Sequence, residues 1–328
     1  RRDGRDVGRI AAILDRSHNE FHGEKTGFFG YFESVDDPEA ARLLFEAASL
    51  WARERKMRVL RGPASPSLND EAGLLVDGFD SPPVVMMTYN PRYYPALYER
   101  AGFRKAKDLL AYWFEIGPKP LERFTRINER VRRNERSFRI HKISRGSLKV
   151  DLPRVREVYN AAWEKNWGFV PMTSEEMDFM AMRLKPLLVK EFALLGEFVR
   201  ADGSAEPAAF MLTLPDYNRA MAPLKGRLMP IGWLKFLFGI RRIRTVRVLT
   251  LGVKKQYRSR GLQSLLFEQS LRTALARGYT GCEVSWLLED NELMIRGMKL
   301  WGGKVYKTYR MYEKSLEPGA GGSPTARS

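Results

Sequence analysis

The sequence predicts an α/β chain: a central mixed β-sheet flanked by helices, built from two units of similar element order. Three observations predict it. Apolar, strand-like runs alternate with amphipathic helical stretches along nearly the whole chain. The order strand–strand–helix–strand–loop–helix–strand of residues 1–116 recurs, more completely, over residues 137–316. Of the 328 residues, 44% are hydrophobic and seven are Trp, ample for a buried core and long enough for two domains.

Taken in order, "VGRIAAILD" (Val7–Asp15) and "GFFGYFESV" (Gly27–Val35) read as strands joined by a polar turn. In "DDPEAARLLFEAASLWARERKM", Asp37 is placed to cap a helix and Pro38 to open it, while Ala40, Leu43, Leu44, Ala47, Leu50 and Trp51 keep the helical period. "RVLRGPAS" is the next strand, Pro63–Pro83 a loop rich in Gly, Pro and Asp, and "VVMMTY" a strand. "NPRYYPALYERAGF" is a helix and "LLAYWFEI" the strand that closes the unit. "GPKP" (Gly117–Pro120) then punctuates the chain, and residues 117–136 form a basic linker helix, "LERFTRINERVRRNER". The second unit reads "SFRIHKIS" (strand), "DLPRVREVYNAAWEKNW" and "TSEEMDFMAMRLKPLL" (helices), "FALLGEFVR" and "PAAFMLTLPDY" (strands). An unusual insertion, Asn218–Ile243, follows, then "TVRVLTLGV" (strand) and its helix. "GCEVSWLLED" (strand), "NELMIRGMKLWG" (helix) and "KVYKTYRMYEKSL" (strand) complete it. The tail, residues 317–328, has almost no apolar content and is expected to be disordered.

Composition bounds the function. One cysteine, Cys282, excludes an internal disulfide. No apolar run reaches the ~20 residues that span a bilayer, and "RRDGRDVGRI" carries neither an initiator Met nor a signal-peptide pattern, so a trimmed start and a cytoplasmic protein are expected. His18 and His22 in "HNEFH" lack an evident third ligand, in surroundings that read as a turn, so no metal is expected. Fifty-six Lys and Arg against 39 Asp and Glu give +17, an excess that draws polyanions: nucleic acid, acidic lipid or phosphate-rich cosubstrates.

Position narrows the choice. In "LGVKKQYRSRGLQSLL" an apolar strand runs through a basic loop into a helix that Gly278 ends. The first turns of such a helix expose unpaired N–H groups and a positive dipole end. Gly261 lets the backbone approach a ligand, and Lys254, Lys255, Arg258 and Arg260 surround the junction. The physical inference is a phosphate or pyrophosphate seat; a basic loop capping a helix with nothing bound is the plainer alternative.

This stretch resembles motif A, Q/R-x-x-G-x-G/A, of the GNAT superfamily of acyl-CoA-dependent N-acyltransferases. It falls on Arg258, Ser259, Arg260, Gly261, Leu262 and Gln263, and departs at Gln263, where Gly or Ala is usual. "EVSWLLEDNELMIRGMKLWGG" is similar to the strand and helix that follow in the family, with Asn291 at a position that often contacts pantetheine. "YNPRYYPALYERAGF" resembles the family's closing helix, but its upstream helix opens with Asp36 and Asp37 and no glycine, so residues 1–116 read as a degenerate GNAT-like unit whose carboxylates repel phosphate.

The resemblance implies an acyl-CoA cosubstrate, of acetyl or longer chain, and direct attack of a primary amine on its thioester. It also implies a splayed strand, Leu249, Leu251 and Val253, that offers backbone to pantetheine and carbonyl. A tyrosine often serves as acid seven residues after the asparagine; Met298 stands there and cannot donate a proton. For the base, the carboxylates Glu283 and Glu289 flank the following strand, with Glu197 as a further carboxylate; solvated or salt-bridged roles remain open for each.

The insertion "LKGRLMPIGWLKFLFGIRRIR" (residues 224–244) carries only one charge, Lys235, between Leu228 and Ile240, with Trp233, Phe236, Leu237 and Ile240 on one helical face. An apolar, Trp-bearing segment closed by Arg241, Arg242 and Arg244 suits an anionic membrane surface; a helix buried between the halves fits the sequence equally. With the net charge, it points to an amphiphilic amine acceptor such as a sphingoid-like base, as in ceramide-forming bacterial members of the superfamily, and to a peripheral position at the inner membrane. Two alternatives stand: a soluble acetyltransferase for a small polar amine, and a non-catalytic nucleic-acid binder using Arg123, Arg126, Arg130, Arg132, Arg133 and Arg136. The second has no helix-turn-helix, RNA-binding sheet motif or zinc knuckle behind it, so nucleic acid is not the expected partner.

Overall fold

The structure, a computed structural model, describes residues 1–317. The first unit comprises β1 (Gly8–Ile13), α1 (Arg16–His22), β2 (Thr26–Ser34), α2 (Pro38–Glu54), β3 (Val59–Gly62), β4 (Leu74–Asp77), α3 (Tyr94–Arg100) and β5 (Arg104–Glu115). Then come α4 (Pro118–Asn134), β6 (Phe138–Lys142), α5 (Leu148–Trp163), α6 (Ser174–Leu184), β7 (Ala193–Val199), β8 (Ala205–Pro215), α7 (Asn218–Met221) and α8 (Gly232–Ile240). The chain closes with β9 (Thr245–Val253), α9 (Leu262–Ala276), β10 (Gly281–Leu288), α10 (Glu292–Leu300) and β11 (Lys304–Ser315).

Local signals set most boundaries. The Asp37 carboxylate accepts the amides of Glu39 and Ala40 at 2.8 and 3.3 Å, and Pro38 follows at the first helical position. Thr173 and Glu176 form a reciprocal capping box at the start of α6. Two stretches differ from expectation. Residues 63–83, read as a loop, contribute β4, whereas "VVMMTY" is irregular: Val84, Val85 and Met87 are buried without strand pairing. "HNEFH" lies on α1, with His18 buried beside Glu24 (3.2 Å) and His22 Nε2 2.8 Å from the Phe169 carbonyl. The tail from residue 318 onward lies outside the described residues.

Eleven strands form one mixed sheet in the order β1-β2-β3-β11-β5-β10-β9-β8-β7-β6, with β4 also on β11. The closing strands of the two units are exchanged. β5, from the first unit, pairs antiparallel with β10; β11, from the second, lies between β5 and β3, with Tyr312 opposite Gly62. Hydrogen bonds thus run across the division at residue 117 in both directions.

Alternation along β8 separates the layers. Met211 joins Val246, Val248 and Leu266 in a core covered by α4 and α9, whereas Phe210 and Leu212 meet Val155, Val158 and Leu184 of α5 and α6 on the other face. The basic helix α4 is docked on α9: Phe124 is buried, and Asn128, Arg132 and Thr125 bond the buried Glu268.

Candidate active site

The site begins where two parallel strands part. β9 and β10 pair only from Thr245 opposite Gly281 to Val248 opposite Val284. On its other side β9 bulges against β8: Leu212 faces Thr250 and Thr213 faces Val248, leaving Leu249 without a partner. Beyond these points the strands open into a two-chambered cleft. The outer chamber, about 310 Å³, is lined by Leu251, Val253, Arg258, Ser259, Gln263 and Asn291. The inner one, about 190 Å³, is lined by Leu249, Thr250, Arg247, Ser285 and Trp286, and shares Leu251 and Asn291 with the first. Six of the sequence-predicted binding residues therefore meet in one chamber, and Leu249 stands in the next.

Gly261 caps α9 with φ 80°, the left-handed region that favours glycine; a Cβ there would stand 2.8 Å from Val131 of α4. Leu262 is fully buried in the core, backbone included, so the amides left open to a ligand are those of its partly exposed neighbours Gly261 and Gln263. Ser259, just before α9, and Gln263, in its first turn, line the outer chamber, so the N-terminus of the helix borders it.

The surrounding cations converge less than expected. Lys254 is buried against Glu157 (2.5 Å), Arg260 pairs with Glu135 and lies over the Phe198 ring (4.6 Å), and Arg258 donates to the Ala162 carbonyl (2.6 Å) while lining the chamber. Each partner is distant in sequence, so spacing alone gave no sign of it. Asn291 caps α10 through its Oδ1, which accepts the Met294 amide at 3.3 Å, and lines both chambers. Met298, at the position where a tyrosine acid is common, is wholly buried in the core.

The two candidate bases have different surroundings. Glu289 is tied to Lys105 (2.6 Å) and to the Asp108 amide (3.0 Å), a half-buried structural ion pair at the β5–β10 edge. Glu197 pairs with Arg154. Glu283 is wholly buried, accepts hydrogen bonds from the hydroxyls of Ser285 and Tyr306, and stands in register with Arg247. Burial pushes its carboxyl up to about 7, against the opposing pull of Arg247 and of the Ser285 hydroxyl. Ser285 itself lines the inner chamber, so it connects the carboxyl to the cleft.

Arg247, Ser285 and Tyr306 were missed in the sequence. The visible signal was Arg247, a lone cation inside the apolar run "TVRVLTL". It is buried at 4% exposure and donates to Ser285 Oγ (3.0 Å) and the Val85 carbonyl (2.7 Å).

No family model matches the chain. The fold is that of solved GNAT structures: a GCN5-related N-acetyltransferase from Sphaerobacter thermophilus (TM-score 0.54, 14% identity, covering 97% of this chain and 79% of that one). A tandem GNAT protein from the clavulanic acid biosynthesis pathway is similar to the same degree (TM-score 0.53, 14% identity, 97% and 82%). Among curated proteins, the chain is 36% identical over 320 residues to Protein YghO of Escherichia coli, covering 95% of this chain and 80% of that protein. It is 37% identical over 324 residues to a protein of Caulobacter vibrioides named bacterial ceramide synthase, covering 96% and 82%. The chain therefore belongs to the family of these two proteins and has the fold of the tandem GNAT structures.

Proposed function

We propose that the chain transfers an acyl group from a coenzyme A thioester to the primary amine of a lipid-like acceptor, by direct attack on the thioester. The observation that carries this reading is the parting of β9 and β10 into a cleft that joins the α9 N-terminus to the Ser285–Glu283 pair. The α9 amides, with Arg258 and Ser259, hold the diphosphate; the exposed edge of β9 at Leu249, Leu251 and Val253 pairs with pantetheine, and Asn291 contacts it. The amine nitrogen bonds to the carbonyl carbon and the C–S bond breaks, releasing the thiolate. The proton from nitrogen passes to Ser285 Oγ as the Ser285 proton passes to Glu283. A carboxyl held near 7 is suited to accept it at neutral pH.

The name of the Caulobacter vibrioides relative supports an amine that carries a hydrocarbon chain, such as a sphingoid-like base. The insertion supports delivery from a membrane. No residue of α8 is buried, and Met229, Ile231, Leu237 and Phe238 are all more than half exposed, beside the exposed Arg241 and Arg242. The attachment proposed is peripheral, at the inner membrane surface; no helix among the described residues is long and apolar enough to cross a membrane. Incubating the protein with acyl-CoA of several chain lengths and either sphinganine or a polyamine, and following CoA release and N-acyl product by mass spectrometry, tests the reading. Product with sphinganine is expected; product with polyamine alone selects a conventional soluble acetyltransferase.

A further inference from the structure

Behind the bulge of β9 lies a third cavity, of about 80 Å³ and partly open, between α5, α6 and the sheet. Its walls are Leu148 and Leu152 of α5, Ala181 and Leu184 of α6, and Phe210 and Leu212 of β8, with no polar surface exposed to it. Close-packed interiors retain few such voids, and apolar ones stay dry and accept apolar guests. It meets the inner chamber at four shared residues: Tyr159, Met180, Leu249 and Thr250. The three spaces therefore follow one another along β9, from Val253 and Leu251 to Leu249 and then behind the strand.

The doorway carries a second sign of a ligand. Thr250 Oγ1 is buried with no hydrogen-bond partner, a costly state for a hydroxyl that a bound acceptor atom would relieve. It lines both the inner chamber and the apolar cavity.

We infer that the cavity receives the hydrocarbon chain of the acyl donor, with the thioester carbonyl accepting from Thr250 at its mouth, so that α5 and α6 set acyl-chain length. The inference rests on the acyl-CoA reading above. The donor, rather than the acceptor amine, is the occupant because the cavity continues the line that starts at the α9 N-terminus. A thioester anchored there by its diphosphate meets Leu251 first and Leu249 next, and its acyl carbons lie farthest along. Met177 and Met180 in the walls are flexible, polarisable side chains that adjust to a guest.

The test is calorimetric titration of CoA, acetyl-CoA, octanoyl-CoA, dodecanoyl-CoA and decylamine into the wild type, Ala181→Phe and Leu188→Ala, both substituted residues lining the cavity, with thermal melts to confirm folding. Ala181 and Leu188 are only partly buried, which makes both substitutions structurally mild. Each buried methylene is worth about fourfold in affinity. A cavity of about 80 Å³ takes only the first few acyl carbons, so octanoyl-CoA is expected to bind the wild type at least about tenfold more tightly than acetyl-CoA, and dodecanoyl-CoA no more tightly than octanoyl-CoA. Ala181→Phe should remove at least tenfold of that gain while CoA and acetyl-CoA bind as before, and Leu188→Ala should extend the gain to longer chains. If CoA binds all three proteins and the gain with chain length is the same in each, the inference is overturned. If Ala181→Phe weakens decylamine binding and not dodecanoyl-CoA, the cavity belongs to the acceptor and the inference is likewise overturned. If the wild type binds neither CoA nor any thioester, it is the acyl-CoA reading that fails first.

Discussion

Arg247 and Glu283 stand opposite one another in register on β9 and β10, both buried, and the guanidinium donates to Ser285 and Val85 while the carboxyl takes the hydroxyls of Ser285 and Tyr306. A cation and an acid thus share one desolvated space with Ser285 between them. This arrangement makes Glu283 a group whose charge depends on pH in the neutral range.

If Glu283 takes the amine proton, kcat/KM rises with pH and levels off above about 7. Ser285→Ala removes a donor that favours the carboxylate, so the rise moves to higher pH and the plateau falls. Glu283→Gln lowers kcat by about a hundredfold or more, with little change in CoA affinity. A full pH–rate profile of all three proteins checks this; a Glu283→Gln variant with wild-type kcat removes the base from the scheme.

The same carboxyl links stability to pH. Its folded-state pKa is raised above its ordinary 4.5 to about 7, so the native protein holds a proton that the unfolded chain releases earlier. Its stabilising effect is complete below 4.5 and is lost as pH climbs through 7, a difference of about 3 kcal/mol. Urea melts at pH 5 and pH 8 should show the wild type losing on that order of stability from this group, and Glu283→Gln losing less over the same interval.

Gly261→Ala forces a side chain into the left-handed region and against Val131. The expected cost is about 1–3 kcal/mol of stability and a weakened CoA complex. Adding Val131→Ala restores part of the stability, because the clash is relieved, and leaves the backbone strain. Differential scanning fluorimetry with and without CoA reads both effects.

For α8, Phe238→Glu and the pair Arg241→Glu with Arg242→Glu should each reduce sedimentation with vesicles containing anionic lipid. The arginine pair should lose about 1 kcal/mol of binding per residue, and more at low salt than at high. Thermal stability should hardly change, since none of these side chains is buried. Unchanged sedimentation in both variants would separate α8 from any membrane.

How much of this was legible in the sequence follows the range of the interactions. Asp37 with Pro38, and Gly278, announce helix ends because capping acts within a few residues. The β9–loop–α9 junction was legible for the same reason. "VVMMTY" misled because burial alone produces an apolar run; here Val85 is held by Asp216 and Arg247, which come more than a hundred residues later. Glu283 and Glu289 look alike in sequence, six residues apart. Only the fold gives one of them Lys105 and the other a desolvated pocket. Charge excess misled in a similar way: Arg132 and Arg260 are committed to Glu268 and Glu135, contacts that no local pattern reveals.

The exchanged strands bear on how the chain is made. β3 and β5 of the first unit close around β11, whose pairing partners are separated from it by some two hundred residues or more. During synthesis the first unit must wait, one strand short and with an open seam, until residues 304–315 have been made. Such long-range closure is slow. Ribosome-bound chains stalled before residue 304 should therefore be cut readily by protease in the first unit, and become resistant only once the last strand has emerged.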